Sequence, residues 1–186
     1  MNIGLNPGPL HIKCGNGHTE VVHALLSGGA EVGLQTSREI APLVIACLHG
    51  HSEVVRALLS AGANVDQQLA AGVSPLYVAS HSGHTEVVHA LLSAGAKVDL
   101  QNDDGWTPLH AACLGGHLGI VHALLSAGWQ ADLCDNNGRT PLDELPPALR
   151  PEVELLAQRA KEGRSGRVDE GRAGVAVLLP AHNKPP

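Results

Sequence analysis

Twelve histidines and four cysteines are the side chains of this 186-residue chain best equipped for chemistry. Two chemistries would use them. One is coordination of an ion such as zinc, which needs ligands converging on a single point. The other is a cysteine nucleophile with a histidine base, which also needs an orienting group and an oxyanion hole. The spacing supports neither. His18, His51, His84 and His117 each follow a glycine and recur every 33 residues; His23, His89 and His122 form a second row that Arg56 completes; His11 and His110 share a third position. Ligands one period apart form a ladder and do not converge. Cys14, Cys47 and Cys113 also share one position, filled by Ser80 in the remaining copy, so that position calls for a small side chain. His49 and His51 lie near Cys47 in sequence, but nothing supplies the acid or the oxyanion hole. No C-x-x-C pair or disulfide-framework spacing occurs, so a reducing compartment is expected, with Cys134, in a loop, as the thiol most open to solvent. There is no phosphate-binding glycine loop, no H-E-x-x-H and no G-x-S-x-G. No catalytic residue, cofactor or metal is expected, and the chain is read as a non-enzyme.

The elements behind these rows repeat. Pro9, Pro42, Pro75, Pro108 and Pro141 are each 33 residues apart, which predicts a solenoid whose units bury apolar faces against their neighbours. The stretch Gly105 to Asn137 is the clearest unit. Thr107 can cap a first helix and Pro108 can occupy its first position, where no amide is missed. Leu109, Ala112 and Cys113 then make one apolar stripe, and Gly115 and Gly116 stop the helix. Ile120, Val121, Leu124 and Leu125 mark a second helix that ends at Gly128, and Asp135 to Gly138 form a turn into the next unit.

Thr107-Pro108-Leu109-His110-Ala111-Ala112 resembles the T-P-L-H-x-A signature of ankyrin repeats, at that family's period. The resemblance covers roughly four-fifths of the chain by the repeat-period reading. It implies an all-α ankyrin-repeat solenoid of helix-turn-helix units with protruding β-turn loops. It also implies that the TPLH and Gly-His histidines hydrogen-bond the backbone between adjacent loops and helices, while the His/Arg row lies on an exposed helix face.

Composition agrees. With no Phe and one Tyr, the chain suits thin layers of Leu, Val and Ala better than one large core. Up to Leu149 there are 5 Lys/Arg against 13 Asp/Glu, and from Arg150 onward 7 against 5. An acidic body argues against nucleic-acid binding, which needs clustered cations. No apolar run is long enough to span a membrane, and the N-terminal segment has neither a basic nor an apolar leader region. A soluble monomer of the cytoplasm or nucleus is expected, with no small-molecule substrate.

The repeats are placed at about 6–38, 39–71, 72–104 and 105–137, with a degenerate capping repeat at 138–160 completing a domain of 1–160 and a disordered tail over 161–186. In the first copy Lys13 replaces Ala46, Ala79 and Ala112, which points to a solvent-facing first layer; without a dedicated capping unit, a fragment or isoform of a longer array is an open possibility. In the second, Ala41 loses the hydroxyl cap, and Ser52 is expected to cap the second helix ahead of Glu53. The third keeps Ser74 as cap. In the fifth, Pro146-Pro147 cuts the first helix short. A helix over Pro151–Ala160 should then face the fourth copy with Val153, Leu156 and Leu155. Trp129 is expected to cover that repeat, and the apolar run 175–179 is read as unstructured.

The resemblance further implies that partners bind the concave face made by loop tips and first helices. Carried onto this sequence, the candidate partner-binding residues are Arg38, Ile40, Leu48, His49, Val73, Tyr77, His81, Asp103, Asp104, Trp106, Leu114, Asn136, Asn137 and Arg139. Ile40, Val73 and Trp106 share one position that Arg139 continues, and an exposed row of that kind with acidic neighbours would offer an apolar stripe to a partner with basic edges. Trp106 has a competing reading, in which it only packs over the next loop. The function expected is a protein-protein interaction module acting as scaffold, adaptor or competitive inhibitor. The alternative is a substrate-recruiting portion of a larger protein such as a ubiquitin-ligase adaptor, kinase or channel.

Overall fold

The protein is described by a computed structural model over residues 8–36, 40–128 and 133–159. Four helix pairs follow one another: α1 (Pro9–Gly15) with α2 (Thr19–Ser27), α3 (Pro42–His49) with α4 (Ser52–Ser60), α5 (Pro75–Ser82) with α6 (Thr85–Ser93), and α7 (Pro108–Leu114) with α8 (Leu118–Ser126). A 3-10 turn at Pro141–Glu144 and a ninth helix, α9, over 150–159 complete the described residues. The first helices pack in one row, α1 to α3 to α5 to α7 to the 3-10 turn, and the second helices in another, α2 to α4 to α6 to α8. No strand occurs among the described residues.

Each first helix begins where a proline fixes its opening φ, and the residue before that proline decides the cap. Thr107 accepts from the His110 amide at 3.4 Å and Ser74 from the Tyr77 amide at 3.1 Å, whereas Ala41 leaves α3 without a side-chain cap. The second helices differ from expectation at one point. Ser52 is the first helical residue and not the cap; His51 holds the cap position with its side chain turned elsewhere, and the Ser52 hydroxyl donates to Glu86 of the next pair at 3.0 Å. The Gly-His corner sets this boundary: Gly50 is left-handed at φ 76°, and the His51 carbonyl accepts the helical bond from the Val55 amide.

The core is a set of repeating rows. Leu43, Leu76 and Leu109 are at most 2 % exposed, and Leu58, Leu91 and Leu124 are at 0 %. Each such side chain contributes about 1.5–3 kcal/mol relative to an exposed one. The small-residue row is as read: Cys14, Cys47, Ser80 and Cys113 are all at 0 %. The Ser80 hydroxyl has no hydrogen-bond partner among the described residues. At the first layer burial falls away: Val21 is 41 % exposed where Val54, Val87 and Ile120 are at 0 %, and Lys13 is half-buried.

In the fifth copy the prolines leave a four-residue 3-10 turn where the others have a helix. On α9 the inward face is Val153 and Ala157, one helical turn apart, with Leu156 half-buried. Leu155 is 54 % exposed, which corrects the expectation that it faces the fourth copy; its angular position on the helix places it away from the stripe. Arg150 ties α9 to the turn, its guanidinium donating to the carbonyls of Leu145 and Asp143 at 3.2 and 3.0 Å. Arg38, Trp129, Ala160 and the readings of 161–186 lie outside the described residues.

Candidate functional site

The loops between helix pairs end in hairpin-like tips that share one backbone bond. The amides of Thr36, Leu69, Asn102 and Asp135 donate to the carbonyls of Ile40, Val73, Trp106 and Arg139 at 2.8–3.0 Å. At Asn102 and Asp135 the side chain closes the tip as well. Asn102 Oδ1 accepts from the amides of Asp104 and Trp106 at 3.0 and 2.8 Å, and Asp135 Oδ1 accepts from those of Asn137 and Arg139, both at 2.8 Å. Leu69 cannot do this, and its tip closes by a 3-10 turn that puts Ala71 at φ 62°. A left-handed alanine costs on the order of 1 kcal/mol.

Adjacent tips are stapled to each other. Gln68 Nε2 donates to its own loop at Gly72 O (2.5 Å) and to the next at Gln101 O (3.3 Å), and Gln101 Nε2 repeats the pattern on Gly105 O (2.8 Å) and Cys134 O (3.0 Å). Backbone adds to this: the Asp103 amide donates to Ala71 O and the Asn136 amide to Asp104 O, each at 3.0 Å, while Asn136 Nδ2 reaches Asp103 O at 2.8 Å. Sequence reasoning missed Gln68 and Gln101; the signal available was their 33-residue spacing in front of each turn.

Histidine does the same work between helices. The rings of His51, His84 and His117 donate from Nε2 to the carbonyls of Gly15, Leu48 and His81, one repeat upstream, at 2.9–3.2 Å. Each ring lies against the glycine of the preceding Gly-His pair: a Cβ on Gly17, Gly50 or Gly83 would come within 2.6–2.7 Å of it. Gly17, Gly50 and Gly83 thus each make room for the histidine of the following pair. His110 works forward instead. Its Nδ1 accepts from the Thr107 amide at 3.1 Å, which leaves Nε2–H to donate to Arg139 O at 3.1 Å. Among the described residues no group of His, Cys, Asp and Glu could hold a metal ion. The buried thiols are poor nucleophiles, because burial pushes Cys14 and Cys113 up to about 12 and raises Cys47 as well. Cys134 is exposed.

The candidate binding residues divide into two groups. Leu48, His49, His81, Asp103, Asp104, Leu114, Asn136, Asn137 and Arg139 are exposed on loop tips and first helices, the leucines at 51 % and 49 %. Ile40, Val73, Trp106 and Tyr77 are half-buried, so the Ile, Val, Trp row is less open than its spacing implied. The Trp106 ring sits 5.7 Å from His110 and under the Arg139 guanidinium at 5.8 Å, and Arg139 also pairs with Asp135 at 3.0 Å and Glu144 at 2.9 Å. Trp106 therefore does pack against the next loop, through Arg139, and is half-buried.

The Asp135 tip makes stability acid-sensitive. Burial pushes the carboxyl up, but the amide and guanidinium of Arg139 and the amides of Asn137 outweigh it and hold the group well below the usual carboxylate range. For His110, burial dominates and lowers the pKa, against the bond to Arg139 and the charges of Asp135 and Glu144. Both shifts act in one direction. Stability is full above the unfolded-state values, about 6.5 for His and about 4 for Asp, and is lost as pH falls through the lower folded-state values. The thermal midpoint, followed by circular dichroism from pH 7 to pH 3, is expected to fall, and to fall less below pH 4 in Asp135→Asn. Asn102 already fills that role one repeat earlier, so the variant can fold; equal acid slopes for both proteins would refute the assignment to Asp135.

No described helix is long and apolar enough to cross a membrane. A search of curated proteins finds no match to the chain. A family model of ankyrin repeats (3 copies) matches residues 10–102 and 94–144. Ankyrin repeats are in general protein-protein interaction modules and are typically non-enzymatic. With helix pairs stacked at the period of the proline row, tips joined one to the next, and a family match running from residue 10 to residue 144, this chain belongs to the ankyrin-repeat family.

Proposed function

We propose that the chain is a binding module that occupies a partner protein reversibly, through the concave face of its loop tips and first helices, and acts as scaffold, adaptor or competitive inhibitor without turnover. The observation that carries this reading is a division of labour. Backbone, Gln68, Gln101 and Asn136 hold the tips in fixed relation and the Gly-His histidines do the same for the first helices, so the side chains of Leu48, Asp103, Asp104 and Leu114 are left over from folding on a pre-organised surface. Pre-organisation reduces the ordering cost of association. Recognition is tested by affinity capture with the intact chain and with Asp103→Ala, Asp104→Ala and Trp106→Ala combined. A partner retained by the intact chain should be lost by the variant, with affinity reduced about 30-fold if Trp106 acts as a hot spot of ~2 kcal/mol. Circular dichroism checks that both proteins are folded, and equal capture by the two would move the site elsewhere.

A further inference from the structure

The open part of this face has a consistent chemistry. Leu48 on α3 and Leu114 on α7 occupy the same position of their helices and are 51 % and 49 % exposed, with His81 exposed at that position of α5 between them. This is an aliphatic row with a polar middle, and no described element covers it. The loop tip that leads into α7 carries the exposed carboxylates of Asp103 and Asp104, neither in an ion pair among the described residues. From 69 to 128 the chain has a single cation, Lys97, which lies 4.0 Å from Asp66. The next cation along the face, Arg139, is already held by Asp135 and Glu144. Among the described residues the negative charge of the tip therefore has no counterpart. The Tyr77 hydroxyl is pushed up first by burial and then by the Asp104 charge. The molecule shows what its rings accept, since a guanidinium already lies over Trp106.

Resting on the concave-face reading above, we infer that the partner presents a cationic extended segment, with lysine or arginine set against Asp103 and Asp104 and aliphatic side chains laid along the Leu48, His81, Leu114 row. An acidic segment would place like charges together beside a tip whose nearest described cation on the face, Arg139, is already held by Asp135 and Glu144, whereas a basic one gains both on-rate and register from the same carboxylates. The aliphatic row supplies the area that charge alone does not.

The probe is a phage-displayed library of random twelve-residue peptides selected on the intact protein, with the selected peptides then synthesised and titrated by fluorescence anisotropy. Enriched peptides are expected to carry at least two Lys or Arg with Leu, Ile, Val or Met. Their affinity should drop at least tenfold in Asp103→Lys with Asp104→Lys, drop in Leu114→Asp, and weaken as salt rises. Peptides that lose affinity in Leu114→Asp but are neutral or acidic, and indifferent to the aspartate changes, would overturn the cationic assignment and leave the face standing. Peptides indifferent to both variants, or a selection that enriches nothing, would overturn the two together.

Discussion

Gly105→Ala is expected to destabilise the array by about 3 kcal/mol, while Gly138→Ala costs about 1 kcal/mol. The two glycines hold the same place in successive tips and are left-handed to nearly the same degree, φ 82° and 78°. Strain from a Cβ in that conformation is therefore shared, at roughly 1 kcal/mol. What differs is the neighbour. A Cβ at Gly105 would meet the Asn136 amide nitrogen at 2.8 Å and Asp135 Cα at 3.0 Å, both backbone, whereas one at Gly138 meets nothing within 4 Å. The next tip must then move, and with it go the bonds from Asn136 to Asp104 O and Asp103 O. At about 1 kcal/mol for each of these, the excess is ~2 kcal/mol. Urea unfolding followed by circular dichroism measures both variants against the parent. Equal losses would mean that the tips are not held against each other as described.

His110→Val should cost about 3 kcal/mol, and Thr107→Ala added to it should cost less than it does alone. His110 is fully buried and links three groups: the Thr107 amide, the Thr107 hydroxyl at 2.8 Å and the Arg139 carbonyl. Valine leaves Thr107 with a buried amide and hydroxyl that have lost their acceptor, at roughly 1–3 kcal/mol for such groups. Removing the hydroxyl as well takes away one of them, so a double-mutant cycle should give a coupling of about 1 kcal/mol. The chain itself pairs these positions by type. Ala41 goes with Val44, Ser74 with Tyr77, and Thr140 with Asp143, whose carboxylate accepts from the Thr140 amide and hydroxyl at 2.8 Å. A coupling of zero would show that the cap and the bond to Arg139 act independently.

Much of this was legible before any coordinates. The proline row places every first helix, because proline is favoured where a helix needs no amide. The burial of Ile120, Val121 and Leu124 follows from the helical period alone, and the small-residue row of Cys14, Cys47, Ser80 and Cys113 follows from the 33-residue repeat. The candidate face was legible only as a set of positions. Trp106 stands where the sequence puts it, yet how much of its ring is open depends on Arg139, one repeat away, which in turn is aimed by Asp135 and Glu144. Ser52 looks like a cap until the Gly50-His51 corner is seen to carry the boundary, with the His51 ring drawn back to Gly15.

Residues within a few positions of one another settle the two helices of each unit, the caps at Ser74 and Thr107 and the side each helix buries, and the proline row adds the period. How one unit sits on the next is settled by the packing between units. That offset sets whether Gln101 reaches Cys134 O, whether Gly105 lies beneath Asn136, and whether Leu48 and Leu114 face open solvent. A 33-residue period fixes how often a side chain recurs but not the translation and rotation between successive copies, and those two quantities come from packing summed over whole interfaces.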